Sequence, residues 1–190
     1  MNYIQQIVSK SIEIKKSILS DEILIGGIGT VVDMITSALR AGNKVFFCGN
    51  GGSAADAQHI ASELSGRFYA DRRPFDAEAL HCNTSYLTAV ANDYGFEAVY
   101  SRLLRASAKK GDVLVGISTS GNSQNVVNAF EAAREMGVKT VAMTGAEGGR
   151  LKPLSDVLLA VPSDDTPRIQ ECHILMGHII CEIVEKNMIS

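Results

Sequence analysis

With 190 residues, 46% of them hydrophobic, the chain is long enough to bury one substantial core without disulfides or metals to hold it together. Its 18 basic and 21 acidic residues are interspersed and leave a formal charge of −3, with no basic block to track a phosphate backbone, so no nucleic acid is expected as a direct ligand. The cysteines Cys48, Cys82, Cys172 and Cys181 are scattered with no CxxC pair, and Met1 to Lys16 mixes Gln, Lys and Glu into its apolar pattern. Reduced thiols, no signal core, no membrane span and a cytoplasmic location are therefore expected.

In chain order, Ile4, Ile7, Val8, Ile12, Ile14 and Ile18 recur at roughly helical spacing, and Ile25, Ile28, Val31, Val32, Ile35 and Leu39 continue it, which predicts two leading helices. Gly26-Gly-Ile-Gly29 lies inside the second with no strand before it, and reads as a packing or helix-break feature. Short apolar runs at Lys44–Cys48, Asp112–Ile117, Lys139–Met143 and Val157–Val161, with a weaker one at Ala77–Leu80, have the look of buried strands. Helical patterns fall between and after them, at about 53–66, 84–108, 123–136 and 166–187. This alternation predicts an α/β fold, a doubly wound parallel sheet flanked by helices in three αβα layers, with N-terminal helices added. No Pro/Gly/Ser linker or internal repeat divides the chain.

Ligands of parallel sheets bind where a strand hands over to a helix. Two such junctions have unusual composition: Cys48-Gly-Asn-Gly-Gly-Ser53, where Ser53 could cap the next helix, and Ser118-Thr-Ser-Gly-Asn-Ser123, with its four hydroxyls. Hydroxyls and free N–H groups at a helix N-terminus suit an anion such as a phosphate. The same residues also serve simply as helix caps. Gly49 to Ala54 formally fits G-x-G-x-x-A, but the weak second strand ends at Leu80-His-Cys-Asn83 without the carboxylate that would hold a ribose, so no nucleotide cofactor is expected.

His59 and Glu63 stand at i, i+4 on one helix face, which suits either two ligands of one divalent ion or an ion pair. Gln170, His173 and His178 interrupt an otherwise apolar final helix and need buried partners. Gln170 and His178 are separated by about 12 Å of helix rise, so joint coordination requires both side chains to lean toward one point.

Taken together, Cys48 to Ser53, Asp56, His59, Glu63-Leu64, Gly66-Arg67, Ala91-Asn-Asp-Tyr-Gly-Phe96, Gly111 to Leu114, Ile117 to Ser123 and Arg168-Ile-Gln-Glu171 with His173 and His178 resemble the phosphoheptose isomerase family of sugar isomerase (SIS) domains over essentially the whole chain. The resemblance implies a single SIS domain over 1–190, with residues 1–41 as helices used in oligomer packing and 42–190 as the α/β core and C-terminal helix. It implies a homotetramer with sites between subunits, and interconversion of sedoheptulose 7-phosphate and a heptose 7-phosphate through an enediolate. Substrate contacts would fall on Asn50, Gly51, Gly52, Ser53, Glu63, Asn92, Asp93, Ser118, Thr119, Ser120, Ser123 and Gln170. One zinc per subunit would be held by His59, Glu63, Gln170 and His178, and Glu63 and His178 would be the catalytic proton-transfer pair. A non-catalytic binding protein resembling the DnaA initiator-associating protein is the alternative, as is an isomerase of another sugar phosphate. That binding family lacks the acid at the Glu63 position and the histidine at the His178 position, both of which this chain keeps.

Overall fold

The computed structural model describes residues 2–189. Two helices, α1 (Tyr3–Ser20) and α2 (Glu22–Arg40), precede β1 (Val45–Gly49), α3 (Gly52–Ser65), β2 (Ala77–Ala79), α4 (Thr84–Tyr94), α5 (Val99–Ser107), β3 (Val113–Ile117), α6 (Gln124–Met136), β4 (Lys139–Thr144), β5 (Val157–Ala160) and α7 (Thr166–Ile189). All four strand pairings are parallel, in the order β2-β1-β3-β4-β5. The strand period of two divides the core: Val45, Phe47, Val113, Val115 and Ile117 face α2, α3 and α7, whereas Phe46, Cys48 and Leu114 face α4, α5 and α6. Burial on both faces is why β1 and β3 read as unbroken apolar runs.

The chain leaves β1 toward β2 on one side and returns to β3 on the other, so the strand order reverses between β1 and β3. Gly49 and Ile117 are paired there at the carboxyl ends. The topology therefore sets the loops 49–52 and 118–123 side by side, at the crevice where doubly wound sheets bind ligands.

The helical pattern at 84–108 is two helices rather than one. Gly95, at φ +89°, ends α4 in a conformation that L side chains avoid, and a 3₁₀ turn at Phe96–Ala98 restarts the chain as α5. Through Gly26–Gly29, by contrast, α2 runs unbroken, with Gly27 facing the Leu159 side chain. Among the described residues α2 is the one helix long and apolar enough to span a membrane by length and composition. Its apolar face is used in the core, where Leu24, Ile28, Val31, Val32 and Ile35 are buried against the sheet and α7.

His173 on α7 is fully buried, its Nε2–H donating to the Thr144 carbonyl at 3.1 Å, while Nδ1 has no hydrogen-bond partner among the described residues. Burial pulls its pKa down to about 4, only partly opposed by the Thr144 hydrogen bond. A folded-state pKa below the unfolded value means that the unfolded chain takes up the proton first. Stability held by the neutral ring is therefore complete above about pH 6.5 and is lost as the pH falls toward 4. At about 1.4 kcal/mol per unit, the expected loss is on the order of 3 kcal/mol. Urea unfolding of wild type and His173→Gln across this window checks it, because the Gln amide can still donate to Thr144; equal slopes for the two proteins would refute the assignment.

Candidate functional site

The two loops are tied to each other before any ligand arrives. Asn50 and Asn125 form a reciprocal amide pair, Asn50 Nδ2 donating to Asn125 Oδ1 at 2.9 Å and Asn125 Nδ2 to Asn50 Oδ1 at 2.8 Å. The Tyr100 hydroxyl, held protonated by burial that raises its pKa, donates to the Gly49 carbonyl. These bonds fix the first turn of α6 against the end of β1. Ser118 and Ser123 meet through their hydroxyls at 2.9 Å across the second loop. Thr119 and Ser120 line a hollow of about 300 Å³ together with Gly145, Ser163 and Thr166.

Ser53 is not the cap of α3. Gly51 occupies that position without a side-chain bond, and Ser53 is buried inside the first turn. Ser53 N–H donates to the Asn50 carbonyl at 3.0 Å and Ala54 N–H to the Gly51 carbonyl at 3.1 Å, so it is the Gly51 and Gly52 N–H groups that this turn can offer an anion. Gly52 carries the second consequence: a Cβ there would meet Gln170 Nε2 at 2.7 Å, so the Gln170 amide of α7 is seated directly against this loop. Asn92 and Asp93 stand exposed on the last turn of α4, bonded to each other at 2.8 Å, and no hydrogen bond among the described residues joins them to either loop.

Two turns along α7 from Gln170, the second part of the site assembles. Glu63 Oε1 lies 3.1 Å from His59 Nε2, and His178 Nε2 lies 3.1 Å from the same atom, so the ligand atoms of His59, Glu63 and His178 all fall within 4.8 Å of one another. A tetrahedral zinc site sets two nitrogens roughly 3.3 Å apart and, when catalytic, uses three protein ligands and keeps a position open. Two imidazoles and one carboxylate at these separations fit that donor set. Asp56, one turn before His59, turns a buried Oδ2 that has no hydrogen-bond partner among the described residues; burial raises its pKa, and the charges of His59 and His178 pull the other way. An orphaned carboxylate oxygen beside two imidazoles is a further sign that the centre is built for a cation.

The sequence matches the SIS domain family over residues 8–145. It is 51% identical over 186 residues to the phosphoheptose isomerase of Sulfurimonas denitrificans, covering 98% of this chain and 95% of that one. The relative from Clostridium acetobutylicum is 49% identical over 187 residues, with the same coverage of 98% and 95%. The chain belongs to the phosphoheptose isomerase family of SIS-domain enzymes. Solved structures agree: the family member from Neisseria gonorrhoeae superposes with a TM-score of 0.90 at 42% identity, covering 96% of this chain and 97% of that one. The member from Francisella tularensis gives 0.92 at 36% identity, over 98% and 100%. An isomerase of this family acts on a sugar phosphate.

Sequence reasoning missed Asn125 and Tyr100, which hold the phosphate-type loop. The available signal was an Asn opening an otherwise apolar helix face and a Tyr among buried positions, each needing a polar partner. It also gave no role to Gly177. A Cβ at that position would lie 2.7 Å from Ile60 Cγ1, and Ile60 is buried in the core, so the missing side chain is what lets α7 approach α3 closely beside His178. Gly177→Ala is expected to cost about 1–3 kcal/mol through overpacking and to widen the gap between His59 and His178. Denaturant unfolding together with a zinc-binding titration checks this, with weaker metal binding expected in protein that is still folded.

Proposed function

We propose that the protein converts sedoheptulose 7-phosphate to D-glycero-D-manno-heptose 7-phosphate, in the cytoplasm, as the first step toward an activated heptose for bacterial surface glycans. The observation that carries this reading is the convergence of His59, Glu63 and His178 on α3 and α7, the same two helices that meet the phosphate-type loop at Gly52 and Gln170. The named activity of relatives matching nearly the full chain at about half identity supports the substrate.

In the ketose the carbonyl is at C2, and in the aldose it is at C1. A base takes the proton from C1 and the electrons pass into the C1–C2 bond and onto the C2 oxygen; the C2 oxygen then takes up a proton as the C1 hydroxyl gives up its own, and an acid returns a proton to C2 as the C1 carbonyl forms. Glu63 and His178 are the groups proposed to exchange these protons from opposite sides of the open chain. A carboxylate has two oxygens, so Glu63 can face the cation through one and accept a proton on the other. His59, Glu63, Gln170 and His178 would hold the zinc ion, one per subunit, which supplies Lewis-acid stabilisation of the enediolate charge. Asn50, Gly51, Gly52 and Ser53 with Ser118, Thr119, Ser120 and Ser123 are proposed to hold the phosphate and the adjoining hydroxyls. Binding energy from that inert end orients a flexible chain over the acid/base pair. Asn92 and Asp93 are proposed to complete the sugar contacts.

The assembly is proposed to be a homotetramer with sites between subunits. An exposed apolar row on the leading helices, including Tyr3, Ile4, Val8, Leu19 and Ile23, supports burial of this face against other copies.

Turnover of sedoheptulose 7-phosphate by zinc-supplied protein, followed by NMR of the heptose phosphates, tests the function. Glu63→Gln and His178→Gln are each expected to lower kcat by about 100-fold or more while leaving the fold intact. Absence of turnover in the wild type would shift the reading to a binding protein, and unchanged turnover in either variant would remove that residue from the proton-transfer pair.

A further inference from the structure

The helix that carries His59 and Glu63 ends two residues after Glu63, and its terminal carbonyls need partners that the helix cannot supply. Two of them find one cation. Arg72 Nη2 donates to the Glu63 carbonyl at 3.0 Å, and Arg72 Nη1 donates to the Leu64 carbonyl at 2.9 Å. The guanidinium thus caps α3 at the negative end of its dipole. Arg72 is in turn held by Glu185 of α7 at 2.8 Å, in an ion pair whose side chains are only 5% and 4% exposed. The same carboxylate accepts backbone N–H groups from Phe68 at 3.0 Å, Tyr69 at 2.8 Å and Ala70 at 2.9 Å. Although burial alone would raise its pKa, these three N–H groups and Arg72 outweigh it and hold the carboxyl near 2, so Glu185 is a fixed anion. The segment it anchors places the Phe68 ring 5.8 Å from the His178 ring, between centroids.

We infer that Arg72 and Glu185 are positioning residues of the isomerase site. The buried pair locks the last turn of α3 to α7, and so fixes Glu63 through its own backbone carbonyl and His178 through Phe68. Glu185 lies seven residues, two helical turns, beyond His178 on α7, and is thus about 10 Å from it along the axis. It acts through the segment it clamps and touches no reacting atom. The inference rests on the reading that Glu63 and His178 form a metal-assisted proton-transfer pair. It adds to that reading a reason why a buried charge pair stands where an apolar contact would serve stability as well.

The test uses full-length apo-protein titrated with Co(II), whose visible absorption reports ligand geometry, alongside turnover in the zinc-loaded enzyme. Glu185→Gln keeps the shape and removes the charge. Arg72→Lys keeps the charge and removes the fork that bridges the two helix carbonyls. Each variant, at a temperature where circular dichroism shows it folded, is expected to bind Co(II) about 10–100-fold more weakly than wild type, with an altered visible spectrum. A matching fall in kcat is expected, with KM within about threefold because the loop at 118–123 is untouched. Asp112→Asn is the control: Asp112 is a buried carboxylate that accepts the Lys44 and Lys109 N–H groups at the opposite end of the sheet, so its loss lowers stability without touching α3 or α7.

Wild-type affinity, spectrum and kcat in the two clamp variants would overturn the inference. So would an equal loss in Asp112→Asn at a matched fall in Tm, since the pair would then act through global stability alone. Should Glu185→Gln fail to fold, Arg72→Lys decides the matter by the same readouts. A wild type that neither binds Co(II) nor turns over sugar phosphate would instead overturn the functional reading beneath it, before any variant is compared.

Discussion

The distance between α3 and α7 governs this molecule, and it is set at Gly177 against Ile60. Helix axes normally stand 8–10 Å apart according to the side chains between them, and a glycine at the contact lets them reach the low end of that range. At that separation the next residue, His178, meets His59 directly. A larger residue at the contact would press on the Ile60 side chain and push the two helices apart beside the imidazoles. The cluster is thus a consequence of packing first and of electrostatics second. Apolar burial of α3 and α7 against the sheet supplies the force that brings like polar groups together.

Along its 24 residues, α7 meets every part of the site in turn. Gln170 rests on the loop at Gly52, His173 is buried under the end of β4, His178 faces α3, and Glu185 holds the segment that follows α3. His173 and Glu185 are buried and Gln170 and His178 half-buried, and each would be costly in an apolar helix without the contact it makes. His173 is the simplest case, a neutral ring with one bond to a carbonyl that contributes to packing. Glu185 is the extreme one, a full charge kept by four donors, whose combined hydrogen bonding exceeds the penalty of taking it out of water.

Most of the fold could be read from the residues because its strands are buried on both faces and its helices on one, so each announces its period. Where the reading fell short, the cause was local geometry or long-range pairing. The helix expected over 84–108 is divided at Gly95 by a single positive φ, which hydrophobic periodicity does not report. Ser53 has the composition of a cap but lies inside the helix, because Gly51 makes the turn two residues earlier. His59, Glu63 and His178 were marked by spacing and resemblance. Their supports were not: Arg72 and Glu185 are 113 positions apart, and Asn50 and Asn125 are 75 apart. Nothing in either local segment names its partner, and only the closed topology brings them together.

The two halves of the site follow different physical rules. The loops at the switch point are built from hydroxyls, amides and backbone N–H groups and contain no lysine or arginine. Donors of this kind surround an anion by geometry and dipole, and they need prior fixing, because a loose loop would lose as much in ordering as it gained in hydrogen bonds. The Asn50–Asn125 pair and the Tyr100 bond to Gly49 provide that fixing in advance. At the other half, the ligand atoms of two imidazoles and the Glu63 carboxylate lie within 4.8 Å of one another, with the unpartnered Asp56 oxygen one turn before them on α3, a donor set suited to a shared cation. The halves are joined by α3, which begins at the anion loop and ends at the carboxylate. On the proposed reading, a group held at its first turn sets where the rest of the substrate lies relative to its last, so a helix of fixed length spaces the glycine loop from the His59, Glu63 and His178 cluster.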